Sequence, residues 1–214
     1  GLLYLDTGAM YRAFTWYVLS QGCDPKDEVA VADLLPKCAI KLVAIRSDPA
    51  LQQQPEVWVN DAAVTKAIRT AEVTAQVSTI AAQNAVRQAL VKQQMQYGLA
   101  GGVVADGRDI GTHVFPDAEL KIFLTASVEE RARRRQKDLA IQNQSVPELT
   151  SIIQMISERD RRDSTRQISP LRQADDAIKV VTDSLTVDDV LDMLLMLYHE
   201  NVVAENEQLS HDFQ

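Results

Sequence analysis

Short apolar runs alternate along this chain with stretches in which apolar residues recur at helical spacing. Met10, Phe14, Tyr17 and Val18 recur on one face of such a stretch and predict a helix that begins at Asp6 or Thr7. Apolar runs predict strands at residues 2–5, 103–109, 120–124 and 177–181. Strands that alternate with helices indicate an α/β fold with a mainly parallel sheet.

A different pattern interrupts this alternation after residue 38. Residues 40–45 and 57–59 have strand character, with a Pro- and Gln-rich loop at residues 49–55 between them and an Asn60-Asp61 turn after them. This pattern predicts a small antiparallel insertion at approximately residues 38–75. Residues 71–97 predict two helices that break near Gln83-Asn84.

Three capping signals predict the later helices. Ser127 with Glu130 predicts one start, and Ser145 with Glu148 and Pro147 in the first turn predicts the start of a helix over residues 149–166. Thr186 predicts the start of a final helix that ends near residue 202. Six of its apolar residues are expected to pack inward: Val187, Val190, Leu191, Leu194, Leu195 and Leu197.

Length and charge restrict the class of protein. A chain of 214 residues with 46% hydrophobic residues supports one domain with room for a small insertion. We expect that domain to end near residue 203 and to be followed by a polar, disordered tail at residues 204–214. The net charge of −8 disfavours nucleic-acid binding, yet nine of the 14 arginines lie within residues 131–172. Two cysteines without metal-ligand spacing and no apolar run of membrane-spanning length favour a cytoplasmic protein.

The sequence Asp106-Gly107-Arg108-Asp109 follows a strand that we expect to be buried. Ligands of open α/β sheets bind at the carboxyl ends of strands, and an arginine fork suits a phosphate. The alternative at this position is a strand end with surface salt bridges.

The other arginines also allow two interpretations. Arg12 lies one turn into a helix and is either a solvated residue or an anion ligand. Arginines at 131, 133, 134 and 135 form either a solvated basic face or a segment that closes over a polyanion. Arg159, Asp163 and Arg166 share one helical face, which a structural ladder of ion pairs also explains. Ser78 and Arg87 resemble ordinary polar helix positions.

Four separated segments together resemble the bacterial cytidylate kinases. They are YLDTGAMYR at residues 4–12, ADGRDIGT at 105–112, VFPDA at 114–118 and ERDRRD at 158–163. The resemblance covers residues 1 to about 200. It implies a P-loop nucleoside monophosphate kinase core with a parallel sheet, a small inserted antiparallel NMP-binding subdomain and a short Arg-rich lid at approximately residues 131–145.

The resemblance also implies roles for individual residues. Ser78, Arg87 and Asp109 match positions that hold cytosine, and Arg159 and Asp163 match positions on the sugar hydroxyls. The positions around the CMP phosphate correspond to Arg12, Arg108 and Arg166, with Thr7 nearby. Lid positions over the ATP phosphates correspond to Arg131 and Arg134, and Asp6 corresponds to an outer-shell partner of Mg²⁺.

The implied reaction is the Mg²⁺-dependent transfer of the terminal phosphoryl group of ATP to CMP or dCMP. The family's Gly-rich G-x-x-x-x-G-K-[ST] loop is absent, and no Gly-Lys pair occurs in the sequence. We therefore expect an N-terminally truncated fragment with impaired activity and an exposed strand edge that lowers its solubility. The alternative is a non-catalytic CMP-binding or regulatory module. Some members of the family follow a pantothenate synthetase domain in one polypeptide. We therefore expect either a separate monomeric protein or a domain of a longer polypeptide.

Overall fold

The computed structural model describes residues 2–43, 55–141 and 145–203. The chain divides into a first unit, Gly1–Phe115 with Arg166–Ser169, and a second unit, Pro116–Thr165 with Pro170–Gln214. Three segments lie outside the described residues. They are residues 44–54 in the predicted strand and loop, residues 142–144 in the predicted lid, and the predicted tail at residues 204–214. No helix among the described residues is both long enough and apolar enough to cross a membrane.

The first unit begins with strand β1 (Leu3–Asp6) and helix α1 (Thr7–Ser20). The helix starts where predicted because the Asp6 carboxylate accepts a hydrogen bond from Ala9 N at 2.8 Å and so caps the first turn. Met10, Phe14 and Val18 are fully buried on one face. The apolar stripe of α1 therefore forms the centre of the first core, as its spacing predicts.

The insertion contains a three-stranded antiparallel sheet. Helix α2 (Glu28–Leu34) leads into strand β2 (Ile40–Val43), which pairs with β3 (Glu56–Val59), and β3 pairs with β4 (Ala62–Ala63). The turn between β3 and β4 places Asn60 at a φ of 53°, a conformation that asparagine tolerates. The antiparallel pairing predicted from the sequence is confirmed.

The rest of the first unit includes two α-helices, a strand and a π-helical turn (Ile110–Val114). A 3₁₀ turn (Ala67–Arg69) precedes α3 (Ala71–Ala82) and α4 (Asn84–Gly98), which break at Gln83 as predicted. Strand β5 (Val103–Asp106) pairs in parallel with β1, with Asp106 opposite Asp6. The strand is shorter than the predicted residues 103–109 and is not fully buried, because Val104 is 49% exposed.

Among its described residues, the second unit contains two parallel strands, three α-helices and a final π-helical turn (His199–Val203). Strand β6 (Ile122–Thr125) is followed by α5 (Val128–Ile141) and α6 (Leu149–Thr165), and β7 (Ile178–Val181), which precedes α7 (Val187–Tyr198), pairs in parallel with β6. Helices α5 and α6 pack through a small apolar core of Ala132, Leu139 and Ile152, which Leu149, Ile153 and Ile156 border.

Two helix starts in this unit differ from the prediction. The Ser127 hydroxyl accepts from Glu130 N at 3.3 Å as expected, but the Glu130 carboxylate accepts from Arg134 and does not complete a capping box. Helix α6 begins at Leu149, so Pro147 lies before the first turn and not within it. The capping box of α7 is confirmed, because Thr186 and Asp189 exchange the expected hydrogen bonds.

The inward packing predicted for α7 is wrong. None of its residues is buried, and Val187, Leu191 and Leu195 are 79%, 52% and 47% exposed. The periodicity identifies an apolar face correctly. The periodicity does not indicate whether other residues cover that face.

Candidate active site

The carboxyl ends of β1 and β5 place two carboxylates side by side in the first unit. Asp6 and Asp106 are Cα partners in the parallel pair. Burial and the neighbouring Asp6 carboxylate raise the pKa of Asp106 above its usual range. Thr7 Oγ1 donates to the Asp106 carbonyl at 2.7 Å and ties the two strand ends together. These contacts create an edge with concentrated negative charge.

Gly107 is required by this close approach. A Cβ atom at this position would overlap Thr7 Oγ1 and would lie 2.8 Å from Ile110 Cδ1. Any side chain here would therefore displace the Thr7 hydroxyl and break its hydrogen bond to the Asp106 carbonyl. The absence of a side chain lets the chain turn directly from β5 into Arg108 and Asp109.

Behind this turn lies a buried network of opposite charges. Arg87 Nη2 on α4 donates to Asp109 Oδ2, and Arg166 Nη2 lies 3.9 Å from Asp109 Oδ1. Arg87 and Asp109 are only 2% and 5% exposed. Arg87 Nη1 also donates to the carbonyl of Ala81 at 3.1 Å, so α3 and the segment after β5 both contact the guanidinium that α4 supplies.

Tyr11 on α1 completes the buried network. The guanidinium carbon of Arg87 lies 5.5 Å from the centre of the Tyr11 ring, which is within the range of a cation–π interaction. Burial, with a further contribution from Asp109, raises the pKa of Tyr11 to about 12. Its hydroxyl is buried and has no hydrogen-bond partner among the described residues. The ring therefore presents a neutral phenol beside the ion pair.

Arg12 lies on the same helix but faces the insertion. Its Nη1 donates to the Ile68 carbonyl at 3.2 Å and to Thr74 Oγ1 at 2.9 Å. Ser78 is partly exposed one turn further along α3 from Thr74. Arg108 is partly exposed on the turn after β5. Thr7, Arg12, Ser78, Arg87, Arg108, Asp109 and Arg166 thus all belong to the first unit.

Arg166 occupies a position that differs from the prediction. Helix α6 ends at Thr165, so Arg166 does not share a helical face with Arg159 and Asp163. Its Nε donates to the Ser169 carbonyl at 2.5 Å. The change from helix to turn directs this guanidinium to Asp109.

The other four predicted residues lie in the second unit. Arg159 Nε and Asp163 Oδ2 are 3.9 Å apart, one turn from each other on α6. Arg131 Nη1 forms an ion pair with Asp160 at 2.6 Å, which joins α5 to α6. Arg134 donates to Glu130 at 2.9 Å and to Thr182 Oγ1 at 3.1 Å, so it connects α5 to the end of β7.

Sequence reasoning missed two residues of the first unit, Tyr11 and Arg69. Tyr11 stands inside the segment YLDTGAMYR, and its position beside Arg12 was the available signal. Arg69 ends the 3₁₀ turn before α3, and its Nη2 lies 3.9 Å from Asp6 Oδ2. Nothing in the local sequence distinguishes this arginine from a solvated one.

The carboxylates of Asp6 and Asp106 are the groups of this edge that could face a hard cation. Among the residues in the described ranges, no three His, Cys, Asp or Glu side chains are placed to hold a metal ion. A cation here would need water or ligand oxygens to complete its coordination, as Mg²⁺ commonly does.

Comparison with known proteins gives one consistent family. A family model described as cytidylate kinase matches residues 1–200. The chain is 56% identical over 202 residues to a bifunctional pantoate ligase/cytidylate kinase of Nostoc sp. (strain PCC 7120 / SAG 25.82 / UTEX 2576), covering 94% of this chain and 37% of that protein. It is 54% identical over 200 residues to the protein of the same description from Acaryochloris marina (strain MBIC 11017), covering 94% and 38%.

A third relative of the same description, from Synechococcus elongatus (strain ATCC 33912 / PCC 7942 / FACHB-805), is 53% identical over 208 residues, covering 96% of this chain and 39% of that protein. The chain therefore spans about two fifths of the length of these curated relatives.

Proposed function

Because the chain belongs to the cytidylate kinase family, we propose that it takes part in the transfer of the terminal phosphoryl group of ATP to CMP or dCMP. The observation that carries this proposal is the buried contact of Arg87 with Asp109 and the approach of Arg166 to the same carboxylate. A buried ion pair contributes little net stability compared with apolar residues of similar volume, so stability alone does not explain these charges. The proposal assigns them to recognition of the acceptor nucleotide.

Cytosine recognition falls to Arg87, Asp109 and Ser78 in this proposal. The carboxylate accepts from the exocyclic amine, while the guanidinium donates to the ring nitrogen and carbonyl. Uracil carries a carbonyl in place of that amine, and its oxygen would face the carboxylate, which also can only accept a hydrogen bond. A site that hydrogen-bonds an amine rejects a base without one, because its buried polar group is left unpaired.

Phosphate binding falls to Arg12, Arg108 and Arg166, with the Thr7 hydroxyl nearby. Phosphoryl transfer depends on positioning and charge neutralisation and needs no covalent nucleophile. The contacts of Arg12 with Ile68 and Thr74 support this role, because they fix its guanidinium before substrate binds. The proposal keeps Arg159 and Asp163 for the sugar hydroxyls and Arg131 and Arg134 for the ATP phosphates.

Mg²⁺ would be held near Asp6 and Asp106. The raised pKa of Asp106 beside the Asp6 carboxylate supports this fit, because a cation relieves the repulsion of two neighbouring carboxylates. Asp6 and Asp106 would hold the ion at this edge, where it would supply neutralisation of phosphate charge.

Thermal unfolding in the presence of nucleotides tests the acceptor assignment. CMP at a hundredfold excess over its Kd is expected to stabilise the chain by about 2.7 kcal/mol, because only the folded state binds it. For a chain of this size that corresponds to a rise in Tm of roughly 5–10 °C. UMP and AMP at the same concentration are expected to give much smaller rises. Equal or absent shifts for the three nucleotides would contradict the base-reading assignment.

Conversion of CMP to CDP tests the enzyme claim. Because the chain spans about two fifths of the length of its curated relatives, the assay uses the natural polypeptide that carries this chain, with ATP and Mg²⁺. We expect the wild-type polypeptide to form CDP and the Arg166→Ala variant to form none. A folded polypeptide that binds CMP but forms no CDP would contradict the enzyme claim.

A further inference from the structure

Arg69 stands out as a cation at the edge of the candidate site that has no assigned role. It ends the 3₁₀ turn between the insertion and α3, and its side chain is 44% exposed. It forms an ion pair with Asp6, the residue at the carboxyl end of β1. That edge is where the proposed reaction would take place.

The backbone on which Arg69 sits is fixed. Ile68, the preceding residue, is fully buried, and its carbonyl accepts from Arg12 Nη1 at 3.2 Å. Arg69 N donates to the Lys66 carbonyl at 3.1 Å and closes the turn. Thr70, the next residue, caps α3 through its hydroxyl. Arg12 and Arg69 are therefore held on neighbouring parts of the same surface while the Arg69 side chain remains exposed.

The contact with Asp6 is too weak to explain Arg69 as scaffold. The closest approach is 3.9 Å, and Asp6 Oδ1 is already engaged with Ala9 N. Half-exposed ion pairs of this length contribute little to stability. A phosphate dianion carries more charge than one carboxylate and accepts two parallel N–H bonds from a guanidinium.

From these observations we infer that Arg69 is a further ligand of the acceptor nucleotide's phosphate, and that its guanidinium moves from Asp6 to the phosphate when the nucleotide binds. This inference rests on the proposed function. The move leaves the Asp6 cap on Ala9 intact and releases Asp6 Oδ2 toward the reacting edge. Arg69 thus holds substrate directly and at the same time controls the partner of Asp6.

Calorimetric titration with CMP and with cytidine separates this role from a structural one. Arg69→Ala is expected to weaken CMP binding about tenfold or more, since a charge-assisted hydrogen bond is lost. Cytidine, which has no phosphate, is expected to bind the variant within twofold of the wild type. Arg69→Lys keeps a positive charge without the planar guanidinium, and its affinity for CMP is expected to lie between those of the wild type and Arg69→Ala.

Lys66→Ala is the matched control, because it removes one positive charge from an exposed residue of the same turn. It is expected to leave both affinities unchanged. Wild-type CMP affinity in Arg69→Ala, or an equal loss for CMP and cytidine, would overturn the inference. A wild-type chain that binds CMP no better than UMP would instead contradict the proposed function, so the two failures are distinguishable. Arg69→Gln provides the same comparison if the alanine variant folds poorly.

Discussion

Asp109→Asn is expected to lower the free energy of unfolding by about 3–5 kcal/mol, because the change leaves the Arg87 charge buried without a counter-charge. Arg87 is 2% exposed, so water cannot replace the lost carboxylate. Urea titration followed by tryptophan fluorescence measures the loss. Both tryptophans, Trp16 and Trp58, belong to the first unit, so the signal reports the unit that contains the pair.

Asp33→Asn is the control for this measurement, because it makes the same chemical change at an exposed position of α2 in the same unit. This replacement is expected to leave the urea midpoint nearly unchanged, because surface substitutions usually change stability little. A loss for Asp109→Asn as small as that of the control would show that the buried pair is not energetically important.

The double variant Arg87→Met with Asp109→Leu separates stability from recognition. Replacement of a buried ion pair by apolar residues of similar volume is often neutral for stability. We expect the double variant to be more stable than Asp109→Asn, because the Arg87 charge is removed together with its partner, and to lose the protection by CMP. A double variant that keeps both its stability and its protection by CMP would contradict the cytosine-reading role of the pair.

The parts of the fold that local chemistry determines could be predicted from the sequence. Asp6 caps α1, Thr186 caps α7, and the apolar spacing of α1 places Phe14 in the core, as expected. Hydrogen bonds within one turn and periodic burial depend on neighbours in sequence. These features require no knowledge of the rest of the chain.

The contacts of the candidate site could not be predicted from local patterns. Arg87 and Asp109 are 22 residues apart, and Arg87 has the local sequence of an ordinary polar helix position. Only the family resemblance placed both residues at the base. Arg69 and Asp6 are farther apart still, and their proximity follows from the 3₁₀ turn, which the hydrophobic pattern does not indicate.

Helix ends and uncovered faces account for the wrong predictions. The charge spacing of residues 159–166 is compatible with one continuous helix, but the helix ends at Thr165 and Arg166 bonds to Ser169. In α7 the apolar stripe is real but exposed. A periodic pattern states which residues share a face, whereas coverage depends on residues far away in the sequence or in another molecule.

Phe14→Ala is expected to lower the free energy of unfolding of the first unit by about 3–5 kcal/mol through loss of buried apolar contact and the cavity left behind. Phe14 is fully buried on α1, between the turns that carry Met10 and Val18. Tryptophan fluorescence in urea measures the loss. Phe14→Leu removes less volume and is expected to cost less.

The same variant tests whether the core and the site are separable. Phe14 lies two residues after Arg12 on α1, but it faces the core while Arg12 contacts Ile68 and Thr74. Well below the unfolding transition, CMP affinity is therefore expected to stay within about threefold of the wild type, or less than 1 kcal/mol. Val29→Ala, at a 75% exposed position of α2, is the control and should change neither property. A large loss of CMP affinity in folded Phe14→Ala would mean that packing of α1 itself sets the position of the arginine ligands.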